Sequence, residues 1–191
     1  MNRPDDSRER YLSEEELRQL MDALDERMYR KGTKDLNQTN LRMRLIVLIA
    51  VSTGMRSAEI HRLRWSDVMY SEGLLAVRAK LKKGEVPMPS ELAAAIRRYP
   101  AVIGEDGIFR HKRGEKAGRP RLEGSFDDLL VRAKIQNFWF HDLRHTFASW
   151  YMNGGYLYEL AKILGHSNIK MTERYAKLGR EHMTKTGNTR S

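Results

Sequence analysis

The segment that most constrains the fold of this chain is Leu41–Thr53, whose sequence LRMRLIVLIAVST is strongly apolar. It is long enough to form a helix, and a helix with so little polar surface is expected to be buried. Its most apolar part, Leu45–Val51, is far too short to cross a membrane. Gly54 follows directly and suits the end of a helix, because glycine readily adopts the left-handed conformation found there. The sequence therefore predicts a buried helix over 41–53.

Amphipathic segments predict further helices around this one. Ser13 with Glu16 forms a capping box, and Leu12 can pack against Leu17, so a helix is expected over 14–30. A polar loop, Gly32–Asn40, is predicted to follow it. Ser90 is expected to cap a later helix, and Ser125 with Asp128 to open another. The remaining predicted helices cover 57–63, 90–98, 125–135, 141–152, 156–164 and 168–178.

Strand signals are few. Residues 74–79 (LLAVRA) predict one strand and 85–88 a short partner, with Lys82, Lys83 and Gly84 in the turn between them. Ile108–Phe109 is a possible further short strand. About eight helices and one small hairpin sheet indicate a mainly α domain with a small antiparallel sheet, an α+β fold.

The net charge of the chain limits the chemical class of partner that it is expected to bind. Its 191 residues suit one domain, and 35 Lys and Arg against 25 Asp and Glu give a net charge of +10. Residues 1–31 carry only 7 basic against 9 acidic residues, so the excess belongs to the body of the domain. Such an excess is typical of a protein with a polyanionic partner, either nucleic acid or an acidic membrane surface. The loop Arg110–Arg121 holds six basic residues and one Glu, and it is either a solvated loop or a phosphate-contacting one.

Two features are missing from the sequence, and each excludes a class of protein. The chain has no cysteine, which excludes disulfides, thiolate zinc sites and cysteine nucleophiles within it. The first residues, MNRPDDSRERY, have no apolar core, so they are not expected to form a secretory signal. A soluble intracellular protein is the expectation that follows.

Several side chains suited to phosphate chemistry occur in distinct local contexts. Each has an ordinary alternative when taken alone, such as a surface Arg, a solvated hairpin Lys or a core Tyr. His141 and His145 are four residues apart, but no nearby Glu or Cys completes a metal site. The candidates are Arg56 in TGMRSAEI, Lys80 at a strand end, His141 and Arg144 in HDLRHT, His166 in LGHS, and Tyr175 on the last predicted helix.

In this order and spacing, these motifs resemble those of the tyrosine recombinase, or phage integrase, family. The resemblance runs from LSEEELRQLMDAL at 12–24 to RYAKL at 174–178, and it includes HDLRHTFAS and LGHSNIKMTERY. It implies the fold of that family's catalytic domain. It also implies site-specific recombination of DNA by a phage or mobile element, through a 3′-phosphotyrosine intermediate.

The resemblance further implies a role for each residue. Tyr175 is the expected nucleophile, and Arg56, Arg144 and His166 are expected to hold the phosphate and stabilise the transition state. His141 is expected to assist proton transfer from Tyr175. Lys80 corresponds to the general acid, and Glu59 to an acidic residue that orients the arginines.

The hairpin lysine is the most open of these assignments. Lys80 lies seven residues before Pro87, which fits the family spacing, but a slip of the hairpin would place Lys82 on the same face. Lys82, Lys83, Lys112 and Arg113 are expected to contact DNA. No metal or other cofactor is expected, because the informative positions are Arg, Lys and His rather than the clustered carboxylates that hold Mg²⁺.

The resemblance also divides the chain. Residues 1–11 are expected to be a linker or disordered lead, 12–178 the catalytic domain, and 179–191 a tail that could be exchanged between protomers. Most members have an additional N-terminal domain that closes a clamp around DNA, and these residues are expected to lack it, as either an excised catalytic domain or an unusually short member. The expected partner is double-stranded DNA, bound by a homotetramer of the full-length protein. The expected location is the cytoplasm of a bacterium or phage-infected host, where the protein would be associated with the nucleoid. The alternatives are a type IB-like topoisomerase and a DNA-binding module that does not react.

Overall fold

A computed structural model of the chain describes residues 10–28, 34–78, 83–101, 106–109 and 123–153. Over these ranges the fold is mostly helical with one small antiparallel sheet, which confirms the predicted fold class. The described helices are α1 (Glu14–Met28), α2 (Lys34–Thr53), α3 (Ser57–Ile60), α4 (Ser90–Arg98), α5 (Glu123–Arg132) and α6 (Asp142–Asn153). The predicted helices at 156–164 and 168–178 lie outside the described residues.

The start of α1 confirms the predicted capping box. The Glu16 backbone N–H donates to Ser13 Oγ at 3.1 Å, and the Ser13 N–H donates to Glu16 Oε2 at 3.0 Å. Arg10 also pairs with the Glu16 carboxylate, and this hydrogen bond is the main cause that lowers the pKa of Glu16. The lead into the helix is therefore fixed to its first turn from residue 10 onwards.

Helix α2 is the buried helix that the apolar segment predicted. Ile46, Val47 and Ile49 are completely buried, and α1, α4 and α6 all pack against this helix. The predicted loop Gly32–Asn40 is wrong over its second part, because α2 begins at Lys34. The polar residues there have modest helix propensity, but no Gly or Pro follows Gly32 to break the helix, so it extends toward its N-terminus.

The sheet has three strands in the order β1 (Val68–Met69), β2 (Leu74–Arg78) and β3 (Lys83–Pro87). Lys83 and Gly84 were predicted in the turn but belong to β3, where they pair with Arg78 and Val77. β1 and the 3₁₀ turn Trp65–Asp67 before it were not predicted, since such short elements leave little periodic signal. Ile108–Phe109 is not a strand: Gly107 forms only an isolated bridge with Arg64.

Several helix ends differ from the predictions by a few residues. α3 ends at Ile60 rather than 63, and Pro89 rather than Ser90 is the N-cap of α4. α5 begins at Glu123, so Ser125 lies inside it, and it ends at Arg132, before Lys134 adopts a positive φ of 58°. Helix ends are the least sharply encoded part of a helix, because the terminal turns lack some of their intrahelical hydrogen bonds and the last turn is often irregular.

Candidate functional site

The site begins at the sharp end of α2. Gly54 adopts a positive φ of 64°, and its N–H donates to the Ala50 carbonyl at 2.9 Å, which closes the last turn of the helix. Thr53 Oγ1 donates to the Ile49 carbonyl at 2.6 Å and accepts the Met55 N–H at 3.3 Å. Helix α2 therefore stops at a fixed point, and the chain turns at once into Arg56 and α3.

Arg56 is held by Glu59 at the start of α3. The Glu59 carboxylate accepts the Arg56 backbone N–H at 2.7 Å and pairs with Arg56 Nη1 at 3.2 Å. The Arg56 side chain is 49% exposed, whereas that of Glu59 is 11% exposed. The carboxylate thus orients a guanidinium that remains open to solvent, the arrangement that an incoming anion requires.

Arg144 reaches the same loop from the other end of the sequence. It lies in the first turn of α6, is almost completely buried, and its Nη1 donates to the Gly54 carbonyl at 2.7 Å. Since Gly54 is two residues before Arg56, this contact brings the second predicted arginine to the loop that carries the first. Sequence analysis identified Gly54 only as a helix stop and missed its carbonyl as the acceptor for Arg144.

The start of α6 positions His141. The Trp139 N–H donates to Asp142 Oδ2 at 2.8 Å, and the Arg144 N–H donates to the His141 carbonyl at 3.0 Å. His141 lies in the turn before the helix, which begins one residue later than predicted. Its exposed ring meets that of His145 edge to face, with the centroids 5.1 Å apart.

Thr146 ties α6 to the lead of the chain. Its hydroxyl donates to the Asp142 carbonyl at 2.8 Å and accepts the Leu12 N–H at 3.0 Å, and Thr146 and Leu12 are both completely buried. The Arg10 guanidinium lies 5.5 Å from the centroid of the Phe138 ring, in the segment that leads into α6. The helix that carries Arg144 is therefore braced against residues 10–12, a contact that the motif HDLRHT did not reveal.

The structure brings together Arg56, Glu59, His141 and Arg144 of the predicted site. Lys80, Lys82, Lys112, Arg113, His166 and Tyr175 lie outside the described residues, and so does the side chain of Lys83. Within the described ranges, no group of three or more His, Asp or Glu side chains could hold a metal ion. None of the helices described is long and apolar enough to cross a membrane.

Comparison with known proteins places these features in a family. The model of the phage integrase family matches residues 10–182. The tyrosine recombinase XerA of Thermococcus kodakarensis is 30% identical over 189 residues, which cover 95% of this chain and 67% of that protein. The chain spans 67% of the length of that XerA and 43% of the length of the Haemophilus phage HP1 integrase, to which it is 32% identical.

Solved structures show the same fold. The catalytic domain of bacteriophage HP1 integrase is 29% identical, with a TM-score of 0.59 and 94% of both chains covered. XerH recombinase bound to its palindromic difH substrate, in a post-cleavage complex, gives a TM-score of 0.74 at 21% identity. That match covers 94% of this chain and 52% of XerH.

Proposed function

Because the chain belongs to the phage integrase family of tyrosine recombinases, we propose that it cuts and rejoins DNA at specific sites through a covalent phosphotyrosine. The family membership confirms the resemblance seen in the sequence. The observation that carries the proposal is the hydrogen bond from Arg144 to the Gly54 carbonyl, which joins two arginines distant in sequence at one loop. The residue roles below are part of the proposal.

The two arginines supply charge where the reaction needs it. A phosphodiester is anionic, and more negative charge develops on its non-bridging oxygens when a nucleophile attacks. Guanidinium groups match those oxygens with fixed pairs of N–H donors. Arg144 acts from a buried position, hydrogen-bonded to the Gly54 carbonyl, and Arg56 acts from the open side of the loop. His166 adds a further hydrogen bond. Loss of one such donor typically lowers a rate by about 10²–10³-fold.

Tyr175 attacks the phosphorus. An ordinary tyrosine hydroxyl has a pKa near 10, so the phenol must lose its proton as the new bond forms. The cationic surroundings favour the phenolate, and His141, exposed at the start of α6, assists the proton transfer. The Tyr175 oxygen then forms a bond to phosphorus while the bond to the 5′ oxygen breaks.

Lys80 completes the proton balance. The departing 5′ oxygen takes a proton from the Lys80 ammonium, and the phosphate stays on the 3′ end of the cut strand as a tyrosine ester. The reverse sequence, with a 5′ hydroxyl as the nucleophile, rejoins DNA. The ester conserves the energy of the phosphodiester bond, so we propose that neither ATP nor a metal takes part.

The proposed partner is double-stranded DNA. XerH was solved with its palindromic difH substrate and the Tn1549 transposon integrase with circular intermediate DNA, and the +10 net charge suits a polyanion. Lys82, Lys83, Lys112 and Arg113 are proposed to contact DNA outside the reacting phosphate. The match to the HP1 catalytic domain, which covers 94% of both chains, supports a catalytic domain in this chain. We propose residues 12–178 as that domain, with a 1–11 lead and a 179–191 tail. We also propose that the full-length protein assembles as a homotetramer on DNA.

Covalent capture tests the proposal directly. DNA duplexes randomised on both sides of one nick are incubated with the 191-residue chain and a chelator. Cleavage beside the nick releases a short strand and traps the protein on DNA. We expect an adduct that resists detergent, whose sequenced DNA defines the site and whose linked peptide contains Tyr175.

Two variants provide the controls. Tyr175→Phe removes the nucleophile and should abolish the adduct. Tyr158→Phe removes the same atom from a tyrosine 17 positions earlier in the sequence, and the adduct should still form. An adduct that persists in Tyr175→Phe would refute the proposed nucleophile. DNA binding without cleavage, equal in the wild type and Arg56→Ala, would indicate a DNA-binding module instead. Relaxation of supercoiled DNA with no site preference would indicate a topoisomerase.

A further inference from the structure

An ion pair between the buried Asp67 carboxylate and the half-exposed Arg78 guanidinium joins the turn before β1 to the end of β2. The Asp67 side chain is only 3% exposed, and its Oδ1 lies 2.7 Å from both Nε and Nη2 of Arg78. Its Oδ2 accepts the Arg64 backbone N–H at 3.0 Å. A buried carboxylate is tolerated only when it is paired and hydrogen-bonded, and Asp67 meets both conditions through these contacts.

The pair lies at one end of the sheet. Arg78 is the last residue of β2 and pairs with Lys83, the first residue of β3, while the opposite end of β2 pairs with β1. Lys80 follows Arg78 by two residues in the sequence. The Asp67 contact therefore holds the strand at the point where it leads to the proposed proton donor.

The turn that carries Asp67 is itself attached to the rest of the domain. The Trp65 N–H donates to the Asp106 carbonyl at 2.8 Å, and the Ile108 N–H donates to the Leu63 carbonyl at 3.0 Å. Leu63 and Ile108 are both buried. Through Asp67, the end of β2 is thus attached to a turn that is itself hydrogen-bonded to buried residues of the core.

We propose that Asp67 and Arg78 are positioning residues for Lys80, a proposal that rests on the general-acid role assigned to Lys80 above. They act by fixing the end of β2, so that the Lys80 ammonium meets the departing 5′ oxygen. Because a misplacement of about 1 Å can cost about 100-fold in rate, we expect loss of the pair to slow cleavage by about 10–100-fold. The loss should fall on the proton-transfer step alone.

A substrate with sulfur in place of the 5′-bridging oxygen isolates that step. The P–S bond breaks to release a thiolate, which needs no proton from the enzyme, while Tyr175 forms the same bond to phosphorus. Single-turnover rates at saturating DNA are measured with both substrates at the site mapped by covalent capture. The variants are Arg78→Gln, Arg78→Lys and Asp67→Asn, with Lys80→Ala as the reference.

Arg64→Gln is the matched control. It removes the same charge as Arg78→Gln but breaks only the exposed pair with Asp106, in which the two atoms are 3.4 Å apart. Both rates should stay close to those of the wild type. Arg78→Lys should recover part of the oxygen-substrate rate, because it retains the charge but loses the fork of donors. Thermal unfolding identifies any variant that fails to fold.

The sulfur substrate gives opposite results for the competing explanations. We expect Arg78→Gln and Asp67→Asn to be slow on the oxygen substrate and to approach the wild-type rate on sulfur, as Lys80→Ala does. Equal slowing on both substrates would overturn the inference, because it would show a general structural role. Slowing by Arg78→Gln without Asp67→Asn would also overturn it, since Arg78 would then act without its partner. If sulfur fails to rescue Lys80→Ala, the proposed function fails at that residue instead.

Discussion

Replacement of Gly54 by alanine should damage the domain in two separable ways. Gly54 ends α2 at a φ of 64°, and its carbonyl is the acceptor for Arg144 at 2.7 Å. Alanine in the left-handed conformation costs about 1–2 kcal/mol. In a domain of this size, each kcal/mol lowers the melting temperature by about 2–4 °C, so Gly54→Ala should lower it by about 2–8 °C.

The second effect concerns catalysis. Any relaxation of the backbone toward negative φ rotates the Gly54 carbonyl away from the buried Arg144 guanidinium. Because Arg144 is only 5% exposed, water does not readily replace this hydrogen bond, and the guanidinium is expected to shift from its position at the Gly54 turn. Such a displacement should slow adduct formation by about 10–100-fold.

Gly73 provides a control with matched strain. Its φ is 65°, and a Cβ there would lie 4.0 Å from the Met88 carbonyl oxygen, an ordinary contact. It lies between β1 and β2 and has no part in the Arg144 contact. Gly73→Ala should therefore cost similar stability while it leaves cleavage unchanged.

The assay combines thermal unfolding with single-turnover adduct formation at saturating DNA, well below the melting temperature of either variant. Equal cleavage rates for Gly54→Ala and Gly73→Ala, with equal loss of stability, would refute the role of the Gly54 carbonyl. An unchanged melting temperature in Gly54→Ala would refute the strain argument itself.

Two further predictions concern the lead of the chain. Thr146→Val removes the hydroxyl that accepts the buried Leu12 N–H, so the free energy of unfolding measured in urea should fall by about 1–3 kcal/mol. Thr146→Ser keeps the hydroxyl and should retain most of the wild-type stability. Equal losses of stability in the two variants would contradict the role of this hydrogen bond. The hydrogen bond from Arg10 lowers the pKa of Glu16 below its ordinary 4.5, so this pair stabilises the fold above that pH and the contribution disappears as pH falls through the lowered value. In Glu16→Gln, the free energy of unfolding should therefore fall less steeply than in the wild type as the pH is lowered. An unchanged pH dependence would show that the Arg10–Glu16 pair does not contribute to the acid sensitivity of the fold.

Local signals in the sequence predicted the parts of the fold that depend on neighbouring residues. The Ser13–Glu16 capping box and the stop at Gly54 were predicted because each is encoded within a few positions. The start of α2 at Lys34 was not, since its polar first turns have no pattern distinct from a loop. β1 was missed because it has two residues and exists through its pairing with β2.

The same limit applies to the site. Motifs predicted Arg56, Glu59, His141 and Arg144 as site residues, because their residue types suit phosphate chemistry and their order resembles that of the family. The acceptor for Arg144 is a backbone carbonyl 90 positions away in the chain, and every residue has a carbonyl, so no residue type marks it. The Asp67–Arg78 pair is similar, because only the turn and the strand register bring these two charges together.

The contrast between the two arginines follows from how each is held. Arg144 is ordered when the domain folds, because its guanidinium is buried and bound to the backbone of the Gly54 turn. Arg56 is half exposed and tethered by Glu59, whose charge it already partly neutralises. In the proposed mechanism, the phosphate meets one donor group whose conformational entropy was lost in folding and one whose entropy is lost on binding. Preorganised charge contributes most to transition-state stabilisation because it needs no reorganisation during the reaction. In the proposed mechanism, therefore, Arg144 contributes the larger share of transition-state stabilisation, and Arg56 the larger share of phosphate capture.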